Sequence, residues 1–327
     1  VDEQERLAKK RVFLADATAG LFSGFLYLSY LFSFAFLVPV QQSFAGRGSR
    51  AGLVSSFVAF AVITAGTVVR MLQLRFFDFI SLLSSCLPSL LLMVALYWIN
   101  ADKPRISRIA RILLATLVLS LAALPFVLRM EKDTAFIGQL SAYVTETIDA
   151  SGLALDEPRL ASELVRRAIA IIGSGFSAFI LWILAGSWWL GSLIASKSRS
   201  ALAGHAPVKN LPRLAAVKVP LKALWPSLLL WGLLFMALAF KVQGLWLMLA
   251  WNLALCAASI YGLQGVGVLS FLLHKPAVPT LLRRLLPLAL IAALLNQATS
   301  AVVLIGLPVL GITEVWIPYR NLKGAST

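Results

Sequence analysis

The chain has 327 residues, of which 60% are hydrophobic and only 13% charged, and its mean hydropathy is +0.87. A water-soluble domain of this size is about 45–50% apolar and about 25% charged, so this chain has too little polar surface to clothe a soluble globule. Its 29 basic residues against 14 acidic ones give a formal charge of +15. They fall in short clusters between long apolar runs, which is the pattern of membrane loops and not of a nucleic-acid-binding face.

These bounds predict an all-α fold, a polytopic transmembrane helical bundle of about eight to nine spans at about 20 apolar residues each. Residues 1–327 read as one integral membrane domain whose first partner is the lipid bilayer. At the start, VDEQERLAKKR reads as a cytoplasmic tail and not a signal peptide, because no small-residue cleavage site follows the first apolar run. The apolar stretch 12–45 is long for one helix. As a hairpin of two short spans broken near Tyr27–Ser29, with the N-terminus cytoplasmic, it puts the larger share of Lys and Arg on the N-terminal side. Gly20 and Gly24 form a GxxxG pair, and Ala15 with Ala19 continues the small-residue pattern that lets helices approach closely. Asp16 lies in the same stretch. An ionisable group in lipid costs several kcal/mol, which makes Asp16 a candidate solute ligand; snorkelling beside Arg11 explains it nearly as well.

Spans follow over 51–69, 76–99 and 109–128. Asp78 lies three residues after Arg75 and reads as its local ion-pair partner. The segment 129–167 reads as extracytoplasmic, carrying Glu131, Asp133, Glu146, Asp149, Asp156, Glu157 and Glu163. Within it, Phe136, Leu140, Tyr143, Val144 and Ile148 recur at helical spacing, so an amphipathic helix is expected on the outer interface, either as a linker helix packed on the bundle or as a gate or lid.

After a span over 168–194 comes a basic cytoplasmic loop, 195–221, punctuated by Pro207, Pro212 and Pro220, which block a continuous helix. Its bases fit an ordinary positive-inside loop; Lys209, Arg213, Lys218 and Lys222 are also candidate contacts for anionic headgroups, and Lys209, Arg213 and Lys218 for a docking partner protein. Spans over 222–240 and 245–273 precede a last apolar stretch beginning near 285, with breaks expected near Asn296 and at Pro308. The amides Asn252, Gln264, Asn296 and Gln297 lie inside these runs, either bonding helix to helix or contacting a solute. Asn252 and Gln264 are twelve residues apart, about 120° in azimuth at 100° per residue, so they share only a broad face.

Cys86, Cys256, His205 and His274 are too few and too scattered for a disulfide framework or a metal cluster. HExxH, GxSxG and Walker motifs are absent from the sequence. No cofactor and no enzymatic activity are therefore expected.

Four stretches are similar to the YybS-like family of uncharacterised bacterial multi-pass membrane proteins. They are PVQQSFAGRGSRAGL at 39–53, NLPRLAAVKVPLKALWPSLLL at 210–230, NLALCAASIYGLQGVGVLSFLL at 252–273 and LGITEVWIPYR at 310–320. In the last, Glu314 takes the place of the family's tail aspartate, Trp316 follows, and Arg320 closes the motif. The resemblance implies residence in a bacterial inner membrane. It also implies a core like the S components of energy-coupling-factor vitamin transporters, whose first helix contacts a coupling subunit through small residues such as Ala15 and Ala19 here.

The leading expectation is a small-solute-binding or transport component without its own ATPase, with a site among Asp16, Asn252, Gln264 and Asn296. The rival is a membrane anchor or assembly subunit of a larger complex, docking through 129–167 and 195–221. Lipid handling ranks below both.

Overall fold

The structure, a computed structural model, describes residues 2–73, 78–101, 106–150, 158–198, 218–273 and 296–320, with position 75 and scattered positions between 278 and 293. Among the described residues it is all-α. The helices are α1 (Asp2–Leu28), α2 (Leu37–Arg47), α3 (Ser49–Gln73), α4 (Phe79–Asn100), α5 (Arg108–Lys132) and α6 (Thr134–Ala150). They continue with α7 (Pro158–Ser198), α8 (Leu224–Ala239), α9 (Leu245–Leu273) and α10 (Gln297–Thr313), and 3-10 turns lie at Ser33–Ala35 and Leu221–Ala223. Among the described residues, seven helices are long and apolar enough to cross a membrane: α1, α3, α4, α5, α7, α9, and α8 together with its preceding turn. The outward side chains fit that reading. Phe57, Ile80, Ile171 and Val302 are each at least 70% exposed, which suits a hydrocarbon solvent and not water.

The chain forms two compact units. One comprises Val1–Ala123 and Phe179–Leu211, the other Leu124–Ala178 and Pro212–Thr327.

In the first unit the stretch 12–45 breaks where the sequence suggested. α1 ends at Leu28 and α2 begins at Leu37. The hydroxyl of Ser23 donates to the Phe36 carbonyl at 2.6 Å, while Arg47 at the other end of α2 reaches back to Asp16, so α2 runs antiparallel to α1. Its 11 residues extend about 16 Å, roughly half the hydrocarbon thickness. Gly48 then takes φ +92 and ψ −175, a region open essentially only to glycine, and α3 starts at the next residue.

α3 lies parallel to α1, and glycine sets the distance between them. A Cβ on Gly20 would fall 2.5 Å from the Ser55 carbonyl oxygen and 2.8 Å from Val58 Cβ; one on Gly24 would fall 2.6 Å from Val62 Cβ. The GxxxG pair therefore acts as expected, by letting backbones approach. Asp78 opens α4 as its N-cap, accepting from the Ser81 N–H at 2.9 Å and the Ser81 hydroxyl at 2.8 Å. That hydrogen bonding, led by the hydroxyl, holds its carboxyl below the usual range. The expected partnership with Arg75 gives way to this cap. Arg111, also buried, donates to the Trp98 and Ala101 carbonyls at the end of α4, where the helix dipole favours a cation.

In the second unit α6 packs on the start of α7. Ile137, Val165 and Ile169 form a buried cluster with Phe136, Leu140 and Val144 against it, whereas Tyr143 is exposed. The helical spacing read in 129–167 appears as α6, with Phe136, Leu140 and Val144 packed toward α7. The span foreseen over 168–194 extends ten residues further toward the N-terminus as α7 to make this contact. α8 and α9 form a tight antiparallel hairpin, turned by Lys241 and Gly244 at φ +52 and +67. α10 begins at the break foreseen at Asn296 but runs through Pro308 without the second break.

The α1–α3 contact gives a direct test. Gly20→Leu inserts four carbons into occupied space and should destabilise by about 1–3 kcal/mol, lowering the melting temperature in detergent by several degrees. Gly232→Ala, where nothing lies within 4 Å of the added carbon, should leave melting unchanged or raise it.

Candidate functional site

Buried polar side chains are where membrane function is first sought, and here they form four knots, each within one unit. In the first unit Asp16 is 3% exposed. Its partner is not Arg11, five residues earlier, but Arg47, whose Nε donates at 2.5 Å, with Arg47 also donating to the Ser43 hydroxyl at 3.0 Å. Burial of the acid is thus explained by a residue 31 positions later, which α2 carries back along α1.

A second knot joins α2, α4 and α7. Gln41 Nε2 donates to Asn100 Oδ1 at 3.1 Å and to the Ser192 hydroxyl at 3.0 Å, and Asn100 Nδ2 returns a bond to Gln41 Oε1 at 2.6 Å. Gly191 makes room for it, since a Cβ there would lie 2.6 Å from Gln41 Cβ. These residues were not singled out from sequence. Gln41 is an amide flanked by Pro39, Val40 and Phe44, and that setting is the signal that marks it.

In the second unit Asn252 bridges α9 to α7. Its Oδ1 accepts from the Ser177 N–H at 2.9 Å, and its Nδ2 donates to the Gly173 carbonyl at 2.7 Å and the Met248 carbonyl at 2.9 Å. Ser177 N–H and Gly173 C=O are the donor and acceptor of one i→i−4 rung of an α-helix. A single amide therefore engages both ends of one rung of α7. Gly173 and Met248 also help to wall a small cavity of about 110 Å³, with Glu131 and Ser174 on its lining.

Gln264 gathers three separate stretches. Its Oε1 accepts from the Val219 N–H at 2.7 Å, and its Nε2 donates to the Gly311 carbonyl and to Glu314 Oε2, both at 2.9 Å. Glu314, 6% exposed, pairs through Oε1 with Arg320 Nε at 2.8 Å. The close packing of α9 and α10 is again glycine-made: a Cβ on Gly265 would lie 2.0 Å from the Leu307 carbonyl oxygen, and one on Gly311 2.0 Å from that of Tyr261.

The structure thus unites Gln264 with Glu314 and Arg320 of the C-terminal motif, while Trp316 of the same motif faces outward at 63% exposure. Asn252 lies about 18 Å along α9 from Gln264 at 1.5 Å per residue and bonds to a different helix. Asn296 is the N-cap of α10, accepting from the Ala298 and Thr299 N–H groups at 2.9 and 3.3 Å. Gln297 opens that helix, and its side chain, like Lys209 and Arg213, lies outside the described residues; Lys218 is exposed.

On α1, Ala15 is exposed. Ala19 borders an open groove of about 350 Å³ lined by Phe22, Leu26, Val38 and Leu190, among others, with Gln42 as its one amide.

No protein-family model, curated protein or solved structure matches the chain. The chain is α-helical with several helices suited to a bilayer, and Asp16, Asn252 and Gln264 each bond to a distant part of the chain.

The Glu314–Arg320 pair should show the asymmetry of buried charges. Arg320→Met alone strands a carboxylate and should cost about 3–5 kcal/mol, whereas the double replacement Glu314→Leu with Arg320→Met should be far milder; thermal melting in detergent reads the difference. Asn252→Ala should cost only about 0.6–1.7 kcal/mol, because Ser177 N–H and Gly173 C=O belong to one i→i−4 rung of α7 and keep each other as partners once the amide is gone.

Proposed function

We propose that the chain is a non-catalytic membrane subunit, without an ATPase of its own, that works by docking a second membrane protein through α1. One observation carries this reading: α1 has two small-residue faces, and only one is filled. Gly20 and Gly24 are in contact with α3. Ala15 is exposed and Ala19 borders the groove, which leaves the second face open to a partner helix at close range. The YybS-like resemblance supports the same face, since in the S components grouped with that family the first helix meets the coupling subunit through small residues.

The polar residues support it from the other side. Asp16, Gln41, Asn252 and Gln264 all have intramolecular partners, so their primary task is holding helices together. A bacterial inner membrane, with the N-terminus cytoplasmic, is the setting this reading assigns.

Solute capture is the second reading, favoured by the 110 Å³ cavity whose wall includes Gly173 and Met248, two of the groups bonded by Asn252. Here Glu131 and Ser174 would meet a small polar solute and Asn252 would shape the wall.

The discriminating experiment is affinity capture of the full chain in mild detergent. A stoichiometric membrane partner is expected, with Ala15→Trp and Ala19→Trp abolishing its recovery while leaving melting unchanged. Recovery of the partner with both tryptophans present would overturn the α1 assignment. Absence of any partner, with a small solute raising the melting temperature in an Asn252-dependent way, would favour capture instead.

A further inference from the structure

We propose that residues 218–225, held against α9 by Gln264, form a binding site for anionic phospholipid headgroups. The Val219 N–H bond to Gln264 Oε1 at 2.7 Å ties down the backbone just before the Leu221–Ala223 turn that leads into α8. Both lysines next to it, Lys218 and Lys222, are exposed. Leu221 is 65% exposed and Trp225 76% exposed in the same short segment. Ammonium groups interleaved with an indole and an aliphatic chain match the boundary of a leaflet, where the ring sits at headgroup level and the cation meets phosphate.

The sequence leading into this segment carries charge of one sign. From 195 to 222 the sequence carries Lys197, Arg199, Lys209, Arg213, Lys218 and Lys222 and no acidic residue. Glu314, the carboxylate tied to the same Gln264, is buried and bonded to Arg320 at 2.8 Å. Neither Lys218 nor Lys222 forms an ion pair among the described residues. An anionic surface is the occupant that completes this arrangement. Zwitterionic lipid lacks the charge, and inorganic phosphate lacks the apolar half that Leu221 and Trp225 would bury.

The site is fixed by the fold and does not depend on the docking reading above. Gln264 belongs to the buried core of the second unit, so the segment keeps its placement whether or not a partner covers α1.

The test uses the purified full chain and three probes: dioctanoyl phosphatidylglycerol, dioctanoyl phosphatidylcholine and inorganic phosphate, with bound probe counted by native mass spectrometry across a titration. Phosphatidylglycerol should saturate, and the other two should bind at least tenfold more weakly. Each lysine near an anionic surface multiplies affinity about fivefold, so Lys218→Gln with Lys222→Gln should weaken phosphatidylglycerol binding about 30-fold. Trp225→Ala should weaken it as well, leaving phosphate unaffected. Lys10→Gln with Arg11→Gln removes the same charge from α1 and should change binding less than twofold. Equal weakening by the two double variants would mean net charge alone is at work and would overturn the site. So would equal binding of phosphatidylglycerol and phosphatidylcholine, full retention of binding in the Lys218/Lys222 variant, or phosphate binding as tightly as the lipid. Protection of the two lysines from acetylation only when an acidic protein co-purifies would also overturn it, in favour of a protein partner.

Discussion

A polar group shut away from water in hydrocarbon has to find its hydrogen bonds inside the protein. Backbone groups meet that demand by forming helices, but side-chain amides can meet it only by reaching another helix. Gln41, Asn252 and Gln264 each do so: Gln41 ties α2 to α4 and α7, Asn252 ties α9 to α7, and Gln264 ties α9 to α10 and to the backbone of Val219. Such bonds are individually modest in membranes, averaging about 0.6 kcal/mol. Their larger effect is on register. An amide that must satisfy both its carbonyl and its NH2 group fits at one axial position, and a slip by a single turn would leave it unbonded.

Close backbone approach supplies the attraction that the amides then align. Lipid tails are as apolar as leucine, so burial of apolar side chains drives helix association weakly in a bilayer, and dispersion at short range takes over. Glycine at the contact is what permits that range. Gly20 and Gly24 bring α1 to α3, Gly191 brings α7 to α2, and Gly265 with Gly311 brings α9 to α10. The glycine contact and the amide bond recur together: Gly191 lies under Gln41, and Gln264 is the residue before Gly265 and bonds to Gly311. Each pairing places a polar side chain where two backbones are near enough for it to reach across.

Ionic groups follow the same logic with higher stakes. Asp16 and Arg47, and Glu314 and Arg320, are internal pairs, because a lone charge at such depth is expensive. Each of these buried charges keeps its partner inside its own unit, whereas Lys218 and Lys222 are exposed.

The all-α class, the apolar runs and the break after Tyr27 were legible in the sequence, because hydrophobic length and polar interruptions along one strand of chain report directly on whether a helix can sit in lipid. So was the role of Gly20 and Gly24, whose four-residue spacing puts both on one face of a helix. The pairing of Asp16 with Arg47 was not legible, nor the meeting of Gln264 with Glu314, nor the reach of Asn252 to Ser177 and Gly173. Those partners lie 31, 50 and about 75 residues apart in sequence, and periodicity carries no information across such separations. The sequence could mark Asp16, Asn252 and Gln264 as polar residues in an apolar medium. Only the packing of helix on helix decided which neighbour each one meets, because a hydrogen bond needs two groups within about 3 Å, and that distance is a property of the folded chain.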